Sequence, residues 1–157
     1  FGYVVGPVVL GIAQGTLEQF TAAMRTRVGT YSGKTLAELP TLQLRIAEAA
    51  ALADAAEALM LRGCDEAMAI AERNEVPGIE SKTRWRRDGA YAAGMCVRAV
   101  DILFAGAGGG AIYQRNPLQR AFRDAHAAIG HQAVTWDTQG TLYGRVALGL
   151  PADVPNL

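Results

Sequence analysis

Apolar positions along this chain recur with a three- to four-residue period, and almost nowhere with the alternation of a half-buried strand. Four blocks carry the pattern. In the first, residues 2–28, Val5, Val9, Ile12, Thr16, Leu17 and Phe20 fall on one face. Gly6, Gly11 and Gly15, about one turn apart, predict a face that another helix approaches closely. A polar loop over residues 29–40 follows, holding Tyr31, Ser32, Gly33 and Lys34. The longest block, residues 41–74, keeps Leu42, Ile46, Ala49, Ala53, Ala56, Leu59, Met60, Ala67 and Ile70 in register for about nine turns. Pro77 disfavours helical geometry at Val76 and is expected to end it. The third block, residues 80–105, has a charged entrance (Lys82, Arg84, Arg86, Arg87, Asp88) and then runs apolar through Tyr91, Met95, Val97, Val100, Leu103 and Phe104. Glycines 106, 108, 109 and 110 close it. Asn116-Pro117 opens the fourth helix, asparagine as N-cap and proline at the first helical position. Leu118, Phe122, Ala125, Ile129 and Trp136 form its core face, and a short tail helix is expected over residues 141–148. Long helices joined by short connections predict an all-α antiparallel four-helix bundle with a tail helix, a single domain over residues 1–157.

Composition narrows the class. Half of the 157 residues are hydrophobic and 19% are charged, enough for a sizeable core and too apolar for disorder. Fifteen basic and fifteen acidic residues cancel, so no electrostatic footprint for nucleic acid or an anionic membrane exists. A neutral surface favours self-association, and a homo-oligomer is expected. Cys64 and Cys96 lack CxxC partners and read as buried free thiols of a reducing compartment, which implies a cytoplasmic protein. The apolar start, residues 3–12, is too short to cross a membrane and is broken by Gly6 and Pro7. Because the chain opens at Phe1 inside a helical pattern, it reads as a piece of a longer enzyme.

Candidate chemistry concentrates in the stretch FAGAGGGAIYQRNPLQRAFRDAHAAIGHQ, residues 104–132. Its glycine run either terminates a helix or forms a loop whose exposed backbone meets a phosphate or a planar ring. It follows a helix rather than a strand, so the dinucleotide fingerprint does not apply. His126 and His131 stand five apart, about 140° around a helix, and do not converge on one metal. No metal site is expected. His126, beside Ala125 on the core stripe, reads as a satisfied structural histidine. His131 is placed two turns beyond Asp124 on nearly the same face of the fourth helix, with Thr135 one turn further. An imidazole there can give or take a proton near neutral pH. Arg120 and Arg123 are in reach of Asp124 along the helix. Arg84, Arg86 and Arg87 around Trp85 form either a solvated helix entrance or a contact with a phosphate or a neighbouring subunit, and Arg25 and Arg27 carry the same ambiguity.

In this order, GIAQGTLEQF, the loop from Arg27 to Lys34 followed by Gln43, FAGAGGGAIY and NPLQRAFRDAHA resemble the C-terminal helical domain of the acyl-CoA dehydrogenase superfamily. The resemblance covers essentially the whole chain. It implies a three-domain subunit, with an N-terminal helical domain and a middle β-domain ahead of this one. A flavin lies between the middle and C-terminal domains, contacted in part by a neighbouring subunit of a tetramer. Arg27 and the turn Gly108, Gly109, Gly110 are then the positions facing the flavin or the dimer partner, although TYSGK stands where the dehydrogenases have Phe-Gly. Dehydrogenases of the family place a catalytic glutamate nine residues past the arginine of Arg-Asp. Nine past Arg123 is Gln132, and an amide cannot act as that base. A variant branch carries the glutamate on the first helix, where Phe1 and Gly2 stand.

The remaining pattern, Arg-Asp-x-His-Ala-x-x-x-His from Arg123 to His131, is similar to the flavin-dependent two-component monooxygenases that hydroxylate hydroxyphenylacetate or steroid-derived phenols. That likeness implies reduced flavin (FMN or FAD) supplied by a separate flavin reductase. It also implies a flavin hydroperoxide that hydroxylates a small aromatic substrate, a dimer or tetramer, and His131 as the catalytic side chain. The imidazole would either donate to the hydroperoxide or act as base toward the phenol. Two alternatives stay open: a true acyl-CoA dehydrogenase whose base lies upstream, or a stand-alone helical oligomerisation bundle without catalysis.

Overall fold

A computed structural model describes residues 2–29, 33 and 35–153; Phe1 and the loop residues Tyr31, Ser32 and Lys34 lie outside the described residues. Five helices follow in order: α1 (Gly6–Thr26), α2 (Pro40–Glu72), α3 (Ile79–Gly106), α4 (Pro117–Ile129) and α5 (Trp136–Ala147). Short 3-10 turns occupy Gly2–Val4, Leu36–Glu38, Gly109–Ile112 and Gln132–Val134. The β-structure among the described residues is one isolated bridge, Val28 to Thr35, which closes the loop after α1. The expected all-α bundle is what forms.

Helix α3 is its axis, packed by each of the other four helices. Alanines explain how so many neighbours fit around it. Ala92, Ala93 and Ala99 on α3 and Ala49, Ala53 and Ala56 on α2 are buried, so the two backbones approach closely. Phe20 and Val9 of α1 and Val100 and Leu103 of α3 fill the centre. By length and composition α3 could also cross a membrane, but half of that apolar stretch is the buried core of this bundle.

Several boundaries shift from the sequence expectation, each for a local reason. Helix α2 stops at Glu72, ahead of Pro77, because Asn74 adopts the left-handed conformation (φ 55°) that asparagine tolerates at helix ends. Helix α4 opens as expected, the Asn116 side chain accepting from the Leu118 N–H at 3.0 Å, but it ends at Ile129. Gly130 is a weak helix former, and the N–H groups of Gly130 and His131 turn back to the carbonyls of Ala127 and Ala128. Trp136 therefore does not complete the face of α4. It opens α5, half-exposed, with its ring centroid 5.5 Å from that of Tyr91. The tail helix accordingly begins five residues earlier than expected, and Gln139 and Leu142 are its buried residues.

Three further expectations are corrected. Of the α1 glycines, Gly6 alone sits against a neighbour, a Cβ there lying 3.1 Å from the Met60 sulfur; Gly11 and Gly15 face open space. The charged entrance of α3 is an interhelical clamp rather than a solvated end. Arg84 and the Trp85 indole N–H donate to Glu66 on α2, the latter at 2.9 Å. Buried Asp88 accepts from Arg62 of α2 at 2.8 Å and from Arg87, whose guanidinium lies 4.2 Å over the Tyr143 ring of α5. Cys96 is buried, but Cys64 is exposed on the outer face of α2.

Candidate active site

The glycine turn is built by a helix that runs out of room. At Gly106 a Cβ would stand 3.1 Å from both Phe20 and Arg45. Two residues on, Gly108 takes φ +73°, which glycine adopts without strain. The chain then winds once through Gly109–Ile112. Two side chains hold this turn. Arg27, one residue past α1, donates to the Ala107 carbonyl at 2.9 Å, and Asn116 donates to the Gly110 carbonyl at 3.1 Å. Arg27 and Gly110 thereby come together across 83 residues of chain and line one cavity of about 500 Å³ with Gln19, Met24, Tyr113 and Arg115. Gly108 and Gly109 lie exposed beside it, with nothing among the described residues within 4 Å of where a side chain would begin. Gln43 serves the loop that follows α1, donating to the Ala37 carbonyl at 2.9 Å.

His131 lies elsewhere, outside that cavity and outside α4. The helical register with Asp124 does not exist, because α4 has already ended. His131 instead caps the turn Gln132–Val134. Its Nδ1 accepts the Ala133 N–H at 3.1 Å, and its carbonyl accepts from the Val134 N–H at 2.9 Å and the Thr135 hydroxyl at 3.1 Å. Val134 is completely buried and pins the turn to the bundle, while the imidazole is exposed. A ring nitrogen that accepts a backbone N–H carries no proton, so the proton of the neutral ring sits on Nε2 and is presented outward. The turn packs on α3 and on the opening segment Gly2–Val4. The segments Gly2–Val4 and Gln132–Val134 are therefore neighbours in space.

His126 is satisfied as expected, but on the surface rather than in the core. Its Nδ1 lies 2.9 Å from the Phe122 carbonyl, its Nε2 3.5 Å from Asp101, and its ring 4.3 Å from that of Phe122. Phe122 in turn stacks on Phe104 at 4.4 Å. Arg120 and Asp124 pair loosely at 3.8 Å on the exposed face of α4. One participant went unread in the sequence: Gln139, buried in the first turn of α5, donates to the Gln132 carbonyl at 2.9 Å. Its partner is a backbone atom, so no residue pattern announces it.

Residues 3–136 match the acyl-CoA dehydrogenase C-terminal domain, and the chain belongs to that family. Curated relatives of this chain include oxygenase components. The oxygenase component of p-hydroxyphenylacetate 3-hydroxylase from Acinetobacter baumannii is 34% identical over 93% of this chain and 35% of its own length. The oxygenase component of an FADH(2)-dependent resorcinol hydroxylase from Rhizobium sp. (strain MTP-10005) is 37% identical over 90% of this chain and 36% of its own. Among solved structures, XiaF from Streptomyces sp., in complex with FADH2 and glycerol, superposes with a TM-score of 0.91 at 28% identity, covering 99% of this chain and 40% of that one. Butyryl-CoA dehydrogenase from Megasphaera elsdenii shares the fold, with a TM-score of 0.72 at 21% identity over 92% of this chain and 35% of that one. The chain spans about a third of the length of the curated relatives it matches.

Proposed function

We propose that this chain is the C-terminal domain of the oxygenase component of a flavin-dependent monooxygenase, with His131 as its catalytic side chain. The observation that carries the reading is the His131 turn: an exposed imidazole, anchored by buried Val134, stands beside Gln132, where an acyl-CoA dehydrogenase would need a carboxylate. The names of the relatives support the class of reaction, and the chain's coverage of about a third of their length supports a longer subunit, for which the family resemblance implies an N-terminal helical domain and a middle β-domain ahead of this one. The substrate is a small phenol or related aromatic, the electron source a separate flavin reductase, and the assembly a homo-oligomer.

The residues fit a reduced flavin. Arg27 brings a fixed positive charge to a cavity whose floor includes the bare backbone of Gly110, and Gly108 and Gly109 leave room for a flat or phosphate-bearing group beside it. Two relatives carry FADH2 in their names, which favours FAD over FMN. When bound, the reduced flavin supplies the activation of oxygen. His131 holds a proton at Nε2 toward whatever oxygen atom is placed against its turn, and its Nδ1 is already engaged. That geometry favours a hydrogen-bond donor over a base. One bundle cannot enclose a flavin, so catalysis requires the full-length subunit.

The test is His131→Ala in the full-length protein, assayed with reduced flavin from a reductase. Reduced-flavin binding should persist while hydroxylation falls by roughly 10²–10³-fold, the usual cost of removing one preorganised hydrogen-bond donor. Unchanged hydroxylation would remove the assignment. Oxygen-independent oxidation of an acyl-CoA thioester would make the protein a dehydrogenase instead.

A further inference from the structure

We propose that Gln139 is the positioning residue of the His131 turn, acting through the backbone of Gln132 without touching the imidazole. The inference rests on the reading of His131 given above. Gln139 is 4% exposed, and its backbone N–H continues α5 by bonding to the Thr135 carbonyl at 3.1 Å. Its side-chain Nε2 donates to the Gln132 carbonyl at 2.9 Å, while its Oε1 is buried with no partner among the described residues. A buried amide with half of its bonding capacity unused is a costly way to pack a helix against a core, and methionine would fill the same volume without that cost. What the amide does that methionine cannot is hold one carbonyl.

That carbonyl matters because the turn is short. Gln132–Val134 contains only three residues, and the Ala133 N–H that fixes the His131 tautomer belongs to the peptide unit that carries the Gln132 carbonyl. A peptide unit is planar, so clamping its oxygen aims its N–H. Gln139 grips the oxygen, and His131 Nδ1 receives the hydrogen at the opposite edge of the same peptide plane. Released, the Gln132–Ala133 peptide can rotate, the Nδ1 bond is lost, and the ring is free to carry its proton on either nitrogen.

The experiment compares the full-length protein with Gln139→Met, His131→Ala and the double variant. The first readout is the nitrogen NMR spectrum of protein labelled with ¹⁵N-histidine, the His131 signals being those lost in His131→Ala. A single tautomer, protonated at Nε2, is expected in the parent, and averaged signals for the two nitrogens in Gln139→Met. The second is product formed per reduced flavin consumed, which should fall on the order of 10–100-fold in Gln139→Met, as for a small misplacement of a reacting group, with reduced-flavin binding unchanged. In the His131→Ala background the Gln139 change should add nothing further. An unaltered tautomer in Gln139→Met, or losses that multiply in the double variant, would overturn the inference and mark Gln139 as packing alone. If His131→Ala hydroxylates normally, the catalytic reading fails, and the NMR comparison still decides the positioning role. Should Gln139→Met not fold, Gln139→Leu also removes the donor together with the unpaired buried oxygen and carries the same expectations.

Discussion

Removing Asp88 should loosen three helices at once. Its carboxylate is 3% exposed, one oxygen accepting from Arg62 of α2 and the other from Arg87 of α3, which in turn covers Tyr143 of α5. Breaking a fully buried pair by deleting one partner costs about 3–5 kcal/mol, because the survivor is stranded without solvent. Here the survivors are not equally stranded. The Arg62 side chain is 60% exposed and returns to water, while that of Arg87 is 26% exposed and keeps an aromatic face. Asp88→Ala should therefore cost less than the full amount, about 2–3 kcal/mol, in the range of hydrogen bonds to a charged group. For a chain of this length that lowers Tm by about 5–10 °C. Double-mutant cycles in urea unfolding should divide the loss unevenly: about 0.5–1 kcal/mol of coupling to Arg62, as for an exposed pair, and more to Arg87. A loss below about 1 kcal/mol, or a larger coupling to Arg62 than to Arg87, would show that burial of the carboxylate is not what makes the clamp strong.

Two further outcomes follow from neighbouring groups. The Trp85 indole N–H, and after it the Arg84 guanidinium, hold the Glu66 carboxyl below its usual range. A group lowered in the folded state contributes stability above its unfolded value and loses it as pH falls through the lowered value. Trp85→Phe should therefore show its largest stability deficit near pH 7, and the pH-dependent part of that deficit should vanish in acid; a gap independent of pH from 7 down to 3 contradicts this. The second outcome concerns the thiols. Burial pushes the Cys96 thiol up to about 11, whereas Cys64 is exposed. Iodoacetamide followed by mass spectrometry should find only Cys64 alkylated in the native chain and both thiols after denaturation, and rapid native labelling of Cys96 would contradict its placement.

The helices were legible because periodicity is a local property. Val9, Thr16 and Phe20 on α1 and Ala49, Ala53 and Ala56 on α2 are buried as their spacing requires. The misread boundary has an equally local cause. Trp136 stands seven residues after Ile129, the spacing of two helical turns, so a residue belonging to the next helix imitated a continuing stripe through Gly130. What could not be read are contacts that depend on how helices register against one another. Arg62 and Asp88 are 26 residues apart, and Arg27 reaches a carbonyl 80 residues away. Nothing in either segment names its partner. The glycine turn was legible as a feature; its union with Arg27 in one cavity required the fold.

The early end of α4 bears on why an imidazole suits this position. Were the helix to continue, residue 131 would spend its backbone N–H on residue 127 and have no free peptide N–H to cap. Because the chain breaks at Gly130, residue 131 becomes the first residue of a new turn, where a side-chain acceptor is wanted for the Ala133 N–H. Aspartate or asparagine would meet that demand as well as histidine does. Aspartate, however, would be an anion at neutral pH with acceptors alone, and asparagine would cap with its oxygen and offer an amide that neither gains nor loses a proton near pH 7. Histidine satisfies the turn with one nitrogen and still carries a proton, in a fixed direction, on the other. The residue that stabilises the turn locally thus also presents, from its other nitrogen, a proton that an imidazole can give up and an amide cannot, and the structural demand and the chemical one act on opposite ends of a single ring.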